Sequence, residues 1–554
     1  MASKFSSFHA IRDSARRAGH AATRFDPRLL EPRAALTALC AVLATYGTSL
    51  LLEHAAHQHV DLVVTAVVLS ATLARTQRGA DGVDRLIGLL VLAGAAAAAS
   101  EVGSLLIRHA AIGDAVFTCA VAATIWIRRL GWRVSRAGTV AVIPFVALLV
   151  TQGQGVPPYG ADHDGWSALV GVFAACLVAL CQWGAAWAGF SPADRRRPSA
   201  APRGEASQPQ QRAQPAGRRR IAASTRMAVQ MGAALGVAFV AGHLWYSPHW
   251  PWVVLTAFIV CSGARGRGDV LYKGTLRAFG AAAGTVVATW IAGSFPPDDV
   301  RSVVIIFAVL GIAIWLRQVS YAYWAGCVTA VLSLLYGYFG ESAPSLLRDR
   351  LEEIAVGAAL GIAASWLILP VRTGDVLRRR LADSLAALSS ILSVAAQDDD
   401  LPARQLRFEE SVYQLELIAK PLAAQRFLAC AKIPVGGGKR QAEAIGAVRR
   451  LVPSVRDFIA VTHADPDLTA EPDLARLRSS VAVNVGAIRR AIGGRPGMPY
   501  RHLPSPRRPS GDRRATAGQL ARATAAMRAI DGALAELDGL YFSPAPVEAP
   551  EPTH

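Results

Sequence analysis

Trp250-Pro-Trp-Val-Val-Leu-Thr-Ala-Phe-Ile-Val260, a turn carrying Arg265, Arg267 and Lys273, and then Arg277-Ala-Phe-Gly-Ala-Ala-Ala-Gly284 form the stretch that decides the fold. An apolar run, a basic turn and a second apolar run rich in small residues read as two helices crossing a bilayer with their joining turn in the cytoplasm. Working outward, mostly apolar runs recur from Arg33 to Val371, and almost nothing outside that range is as apolar. Twelve spans are predicted. The first six lie near 34–52, 60–74, 85–107, 113–127, 137–151 and 166–189. The second six lie near 222–245, 250–263, 275–294, 301–316, 319–339 and 351–370.

Charge placement orients these spans. The chain of 554 residues holds 58 Lys plus Arg and has a formal net charge of +18. The basic residues sit between hydrophobic runs, so they read as cytoplasmic-loop charge and not as a nucleic-acid surface. One set of loops holds Arg75 and Arg78, Arg128 to Arg136, Arg195 to Arg197, Arg265 to Lys273 and Arg378 to Arg380. The alternate loops hold His54, His57, His59, Asp162, Asp298 and Glu341, with few basic residues. With twelve spans every strongly basic loop falls on one side, which places both termini in the cytoplasm of a multi-pass inner (plasma) membrane protein.

The two sets of six spans are alike. Thr65-Ala-Val-Val-Leu, an Arg-rich turn and Arg85-Leu-Ile-Gly88 reappear as Thr256-Ala-Phe-Ile-Val, an Arg-rich turn and Arg277-Ala-Phe-Gly280, shifted by about 191 residues. Six spans per half give both halves the same orientation, a parallel repeat with the substrate path expected at its interface. The predicted fold class is therefore all-α: a polytopic membrane protein of two parallel six-span repeats, followed by a cytosolic helical bundle.

The expected domains follow. Residues 1–33 are a basic cytoplasmic segment without the apolar region of a signal peptide. Residues 34–190 and 221–371 are the membrane halves. Residues 191–220, rich in Pro, Arg, Gln and Ala, are a disordered linker. Residues 372–541 are a cytoplasmic helical domain, because Leu377, Leu381, Leu385, Leu388 and Leu392 repeat at helical spacing and further amphipathic stretches run near 402–430, 439–463, 471–492 and 513–541. Residues 542–554 are a Pro-rich disordered tail.

The segment from Trp250 to Gly284 resembles the fusaric acid resistance family of membrane proteins, which includes aromatic acid exporters. The family pattern is a Trp-led span, a basic turn and Arg-x-x-Gly-Thr-x-x-Gly. This chain supplies Arg277, Gly280 and Gly284, and has Ala281 where the family usually has Thr. The resemblance implies export of aromatic or related organic acids without a metal or nucleotide cofactor.

Candidate site residues follow from where polar groups interrupt the spans. Arg85 and Arg277 stand at matched entries to the bilayer, either snorkelling to lipid phosphates or attracting carboxylates to the cytoplasmic mouth. Glu101 is an ionisable residue within a span, hence a candidate for the path. Gln230 is a second polar group there, able to bond to a neighbouring helix. Tyr321, Tyr323 and Trp324 make either an interfacial aromatic belt or a stacking surface for an aromatic substrate. Gly88, Gly280 and Gly284 let helices approach closely, the last two being four residues apart on one face.

Other chemistry is not encoded. Val435-Gly-Gly-Gly-Lys439 has Ile433 where a phosphate loop needs its leading Gly and Arg440 where it needs Ser or Thr. There is no G-x-S-x-G elbow and no HExxH. The cysteines, mostly inside apolar runs and never in CxxC pairs, read as small apolar residues, and the loop histidines lack the companions of a metal site. The chain is thus expected to be no enzyme and to need no cofactor or metal. Its expected partners are the lipid bilayer and a small organic anion, with a second copy of the chain as a candidate. The leading function is a secondary exporter of organic acids. An organic-anion channel and a membrane scaffold with a partner-binding cytosolic domain are the alternatives.

Overall fold

The computed structural model describes residues 30–56, 61–77, 82–152, 164–188, 222–247, 249–292, 295–297, 299–317, 320–338, 344–393, 400–419, 421–423, 438–495, 499–503 and 514–542. Most of the expected N-terminal segment, the whole linker, the tail beyond Phe542, and the loop residues His57 and His59 lie outside them. The described residues divide into two compact units, one ending at Val371 and the other beginning at Arg372.

The first unit contains α1 (Leu30–Ala56), α2 (Asp61–Thr76), α3 (Gly82–Arg108), α4 (Ala110–Trp126), α5 (Trp132–Gln152) and α6 (Asp164–Trp187). It continues with α7 (Ala223–Trp245), α8 (Pro251–Cys261), α9 (Arg267–Ala292), α10 (Val300–Leu316), α11 (Tyr321–Tyr338) and α12 (Pro344–Leu367). Each falls on one of the predicted apolar runs. Their ends follow local chemistry. Pro251 opens α8, where its missing N–H costs nothing. Asp299 caps α10 by accepting from the Arg301 backbone N–H at 2.9 Å.

Among the described residues five helices, α1, α3, α4, α5 and α7, are long and apolar enough to cross a membrane, and α2, α6, α8, α10 and α11 contain shorter apolar segments. The remaining two are long but charged. Their N-terminal parts carry Arg267, Asp269 and Lys273 in α9, and Arg348, Asp349, Arg350, Glu352 and Glu353 in α12. The predicted spans 275–294 and 351–370 began after most of these charges, whereas the helices extend through them.

Successive helices run in alternating directions. The start of α7 meets the end of α12, where the Arg226 Nε donates to the Leu369 carbonyl at 3.1 Å. Gly274 near the start of α9 meets Ile362 near the end of α12. The start of α11 lies against the middle of α9 and runs the same way, Gly280 meeting Ala322 and Ala325. Such a path gathers residues 75–77, 126–136, 261–273, 317–321 and 367–372 toward one end and residues 108–114, 243–252 and 344–353 toward the other. The basic turns therefore share an end.

In the first six helices α1 packs on α2 and α6, α2 on α6, and α3 on α5 and α6. In the next six α7 packs on α8 and α12, α8 on α12, and α9 on α11 and α12. Between the two sets, α4 packs on α7 and α10 on α1.

The second unit contains α13 (Thr373–Leu392), α14 (Leu401–Glu416), α15 (Gly438–Ala464), α16 (Pro472–Ile492) and α17 (Arg514–Phe542). The leucine face of α13 is buried in one hydrophobic core with Phe408, Val448, Leu451, Val485, Ile488 and Met527. Burial of that face, worth roughly 1.5–3 kcal/mol per large side chain, drives this unit together. The hydrophobic term is absent between helices in lipid, where close packing and polar bonds must serve instead. One buried polar network joins α16 and α17. The Asn484 amide donates to Asp531 Oδ1 at 3.0 Å, and the Tyr500 hydroxyl donates to the Asp531 carbonyl at 3.0 Å. Burial, then the hydrogen bond to Asp531, pushes the Tyr500 phenol up from its ordinary range.

Candidate functional site

The basic end of the first unit holds two clusters of charge. In the first, Asp84 on α3 has a side chain only 6% exposed and meets Arg136 at 3.4 Å and Arg133 at 4.0 Å, both from α5. Gln77, Asp84, Gly88, Arg133 and Arg136 line a small cavity. Arg85, beside Asp84, is half-buried, and its Nε is enclosed without a hydrogen-bond partner among the described residues.

The second cluster occupies the α8–α9 turn. Asp269 accepts from the Arg265 backbone N–H at 3.0 Å, and the Lys273 ammonium donates to the Ser262 carbonyl at 2.9 Å. One turn further, Arg277 is 4% exposed and its Nε has no hydrogen-bond partner among the described residues. Desolvating a guanidinium is costly, so a buried N–H without an acceptor is the kind of group an anion completes. Nearby, Arg317 lies over the Trp324 ring at 4.4 Å, Tyr321 keeps a buried hydroxyl without a partner, and Tyr323 is exposed.

Arg85 and Arg277 do not come together. Helix α3 packs on α4, α5 and α6, whereas α9 packs on α8, α11 and α12, so each arginine serves its own helix cluster. Glu101 is exposed on α3, outside the helix packing. Gln230 is buried, and its amide donates to the carbonyls of Ile368 at 2.8 Å and Leu369 at 3.0 Å. It closes the orphan carbonyls at the end of α12, which is the neighbouring-helix role. The glycines are spacers: a Cβ on Gly280 would overlap the Ala322 carbonyl, and one on Gly284 the Gly326 carbonyl. Gly88 is roomier, its nearest neighbour being the Gln77 amide at 3.7 Å.

The opposite end carries groups that sequence inspection passed over. Arg350 and Glu353, one turn apart on α12, are 4% and 2% exposed, with the Arg350 guanidinium 3.7 Å over the Trp252 ring. Asp114 on α4 meets His243 on α7, Oδ2 to Nε2, at 3.1 Å. Both residues lie inside predicted spans, so the rule that singled out Glu101 would have found them as well. Arg350, Glu353, Gly357 and Gly361 also share one face of α12 at spacings of three or four, a signal visible in the sequence.

Apolar helices long enough to cross a membrane, packed in alternating directions with charge gathered at their ends, define a multi-helix membrane protein. Residues 233–364, from α7 through α12, match the family model described as fusaric acid resistance protein-like. That match supports the family read from Arg277, Gly280 and Gly284, and with it a membrane transport or resistance protein. No curated protein and no solved structure matches the chain.

Proposed function

We propose that the chain is a secondary transporter exporting organic, most naturally aromatic, acids across the inner membrane. The observation that carries this is Arg277, a nearly buried guanidinium with an unanswered Nε donor at the basic end of α9, within the family-matched segment. A carboxylate arriving from the cytoplasm supplies the missing acceptor, and Tyr321 and Trp324 at the start of α11 offer a hydroxyl and a ring to an aromatic acid.

In this reading the first unit is two similar six-helix halves, and the packing of its helices supports that plan. Matching pairs pack in each half, α3 on α5 as α9 on α11, and α3 on α6 as α9 on α12. The halves join by one matching set, α4 on α7 and α10 on α1, and by a further contact of α5 on α8. In this reading Arg85 and Arg277 are counterparts, each at its own cytoplasmic entrance. The basic ends face the cytoplasm by the positive-inside bias. The second unit is cytoplasmic, and the substrate leaves between the halves.

Efflux of a panel of aromatic and aliphatic acids, measured per molecule of membrane-inserted protein, tests the proposal. Arg277→Lys keeps the charge and loses the planar fork, so apparent affinity should fall about tenfold to a hundredfold, the worth of a charged hydrogen bond. Normal efflux by this variant at normal abundance would remove Arg277 from the substrate path.

A further inference from the structure

Asp114 and His243 belong to different halves of the first unit. Asp114 lies just over one turn into α4, and His243 stands in the last turn of α7. Their side chains are 18% and 33% exposed, so the pair is partly desolvated yet still reachable from the end of the bundle remote from the basic turns. The imidazole is fixed on its other sides by aromatic rings, 4.8 Å from Trp250 and stacked at 6.3 Å on Phe239. Phe239 in turn packs edge-on against Phe117 of α4 at 5.5 Å. The contact is thus a polar latch on an otherwise apolar α4–α7 interface, where Gly232 faces Ala122 and Thr118.

We propose that Asp114 and His243 form a proton-binding site that latches the two halves together at this end. With the proton bound, the imidazolium donates its Nε2–H to the Asp114 carboxylate, and the pair is neutral. When the proton leaves to water, the imidazole becomes neutral and the site keeps one net negative charge. A lone carboxylate in a partly desolvated interface is expensive, and hydrating it by separating the ends of α4 and α7 relieves that cost. Proton binding therefore favours the closed interface and proton release the open one. Imidazole is the side chain whose ordinary charge change falls between pH 5 and 8.

The surrounding charges do not replace either partner. The α3–α4 turn contributes Arg108 and His109, both exposed. The α7–α8 turn contributes Tyr246 and His249. From α12, Asp349, Glu352 and Glu353 act on Tyr246, while Arg350 is held over Trp252. The surrounding hydrophobic core includes Phe145 and Leu149 of α5 and Trp252 and Val253 of α8. The use of this site to drive export rests on the transport reading above, and proton binding itself does not.

The test is the distance between spin labels at Ala111→Cys and Leu244→Cys, both exposed positions flanking the pair. It is measured on the full chain, otherwise free of cysteine, in lipid vesicles at pH 5 and pH 8. A single short distance is expected at pH 5, with a longer population appearing at pH 8. Asp114→Asn and His243→Gln should each abolish that pH dependence. A distance that does not change with pH in the parent, or a change that persists in either variant, overturns the proposal. No substrate is needed, so an efflux panel with no transported acid would defeat the transport reading and leave the proton site standing.

Discussion

Gly284 of α9 lies directly against the Gly326 backbone of α11, and Gly326 in turn lies against the carbonyl of Gly280. Three glycines thus let two parallel helices touch backbone to backbone. In lipid, where apolar burial between helices is not rewarded, that closeness supplies dispersion and weak Cα–H···O contacts.

Gly284→Ala should therefore cost about 1–3 kcal/mol, and Gly284→Leu should prevent α9 and α11 from packing at all. The fraction of protein surviving detergent extraction as a monodisperse species measures this. An undiminished Leu variant would mean that the two helices tolerate separation.

Gln230→Met should destabilise the first unit by about 1–3 kcal/mol, because the Ile368 carbonyl loses its amide donor, while Arg226 still donates to Leu369. Gln230→Glu should be worse at neutral pH, since it turns a carboxylate toward those carbonyls. Thermal unfolding in detergent ranks the two variants, and the reverse order would contradict the capping role.

Leu385→Ala should cost the second unit about 2–5 kcal/mol, because Leu385 is 0% exposed in its core. Limited proteolysis should then cut after Arg372 far sooner, while the first unit stays intact. Equal damage to both units would show that they do not unfold separately.

Asp538 carries a side-chain oxygen enclosed without a hydrogen-bond partner, and burial raises its carboxyl above the ordinary range, with His502 opposing. A raised folded value means that ionisation costs stability. The loss begins as pH rises through the unfolded value and is complete above the folded one. Asp538→Asn removes that cost, so its denaturant midpoint should exceed the parent's at pH 7, with the advantage shrinking toward pH 3. An advantage that grew on acidification would reverse the sign.

Topology yields to labelling. Cysteines introduced at Ser199 and Ser207 should resist an impermeant reagent applied to intact cells, and one at Gly160 should react. External labelling of the 191–220 segment would remove the twelve-span path.

Sequence and structure contributed different things. Hydrophobic runs and basic turns are local properties, written residue by residue, so the helices of both units were legible to within a few residues at most ends. The glycine face of α9 was legible for the same reason, since helical spacing alone puts Gly280 and Gly284 on one side. The exceptions include α14, which ends at Glu416 where the stretch 402–430 was expected, and α9 and α12, whose charged N-terminal parts were trimmed from the predicted spans because composition does not say that a helix continues through its charges. What a side chain faces is set by helices distant in sequence, and only the tertiary structure decides it. It buried Arg277 but left Glu101 exposed on the same kind of helix, and assigned Gln230 to the end of α12, more than a hundred residues away. It also brought Asp114 of α4 to His243 of α7, 129 residues apart in sequence. Periodicity fixes which residues share a helix face, but the packing of the other helices fixes what that face meets.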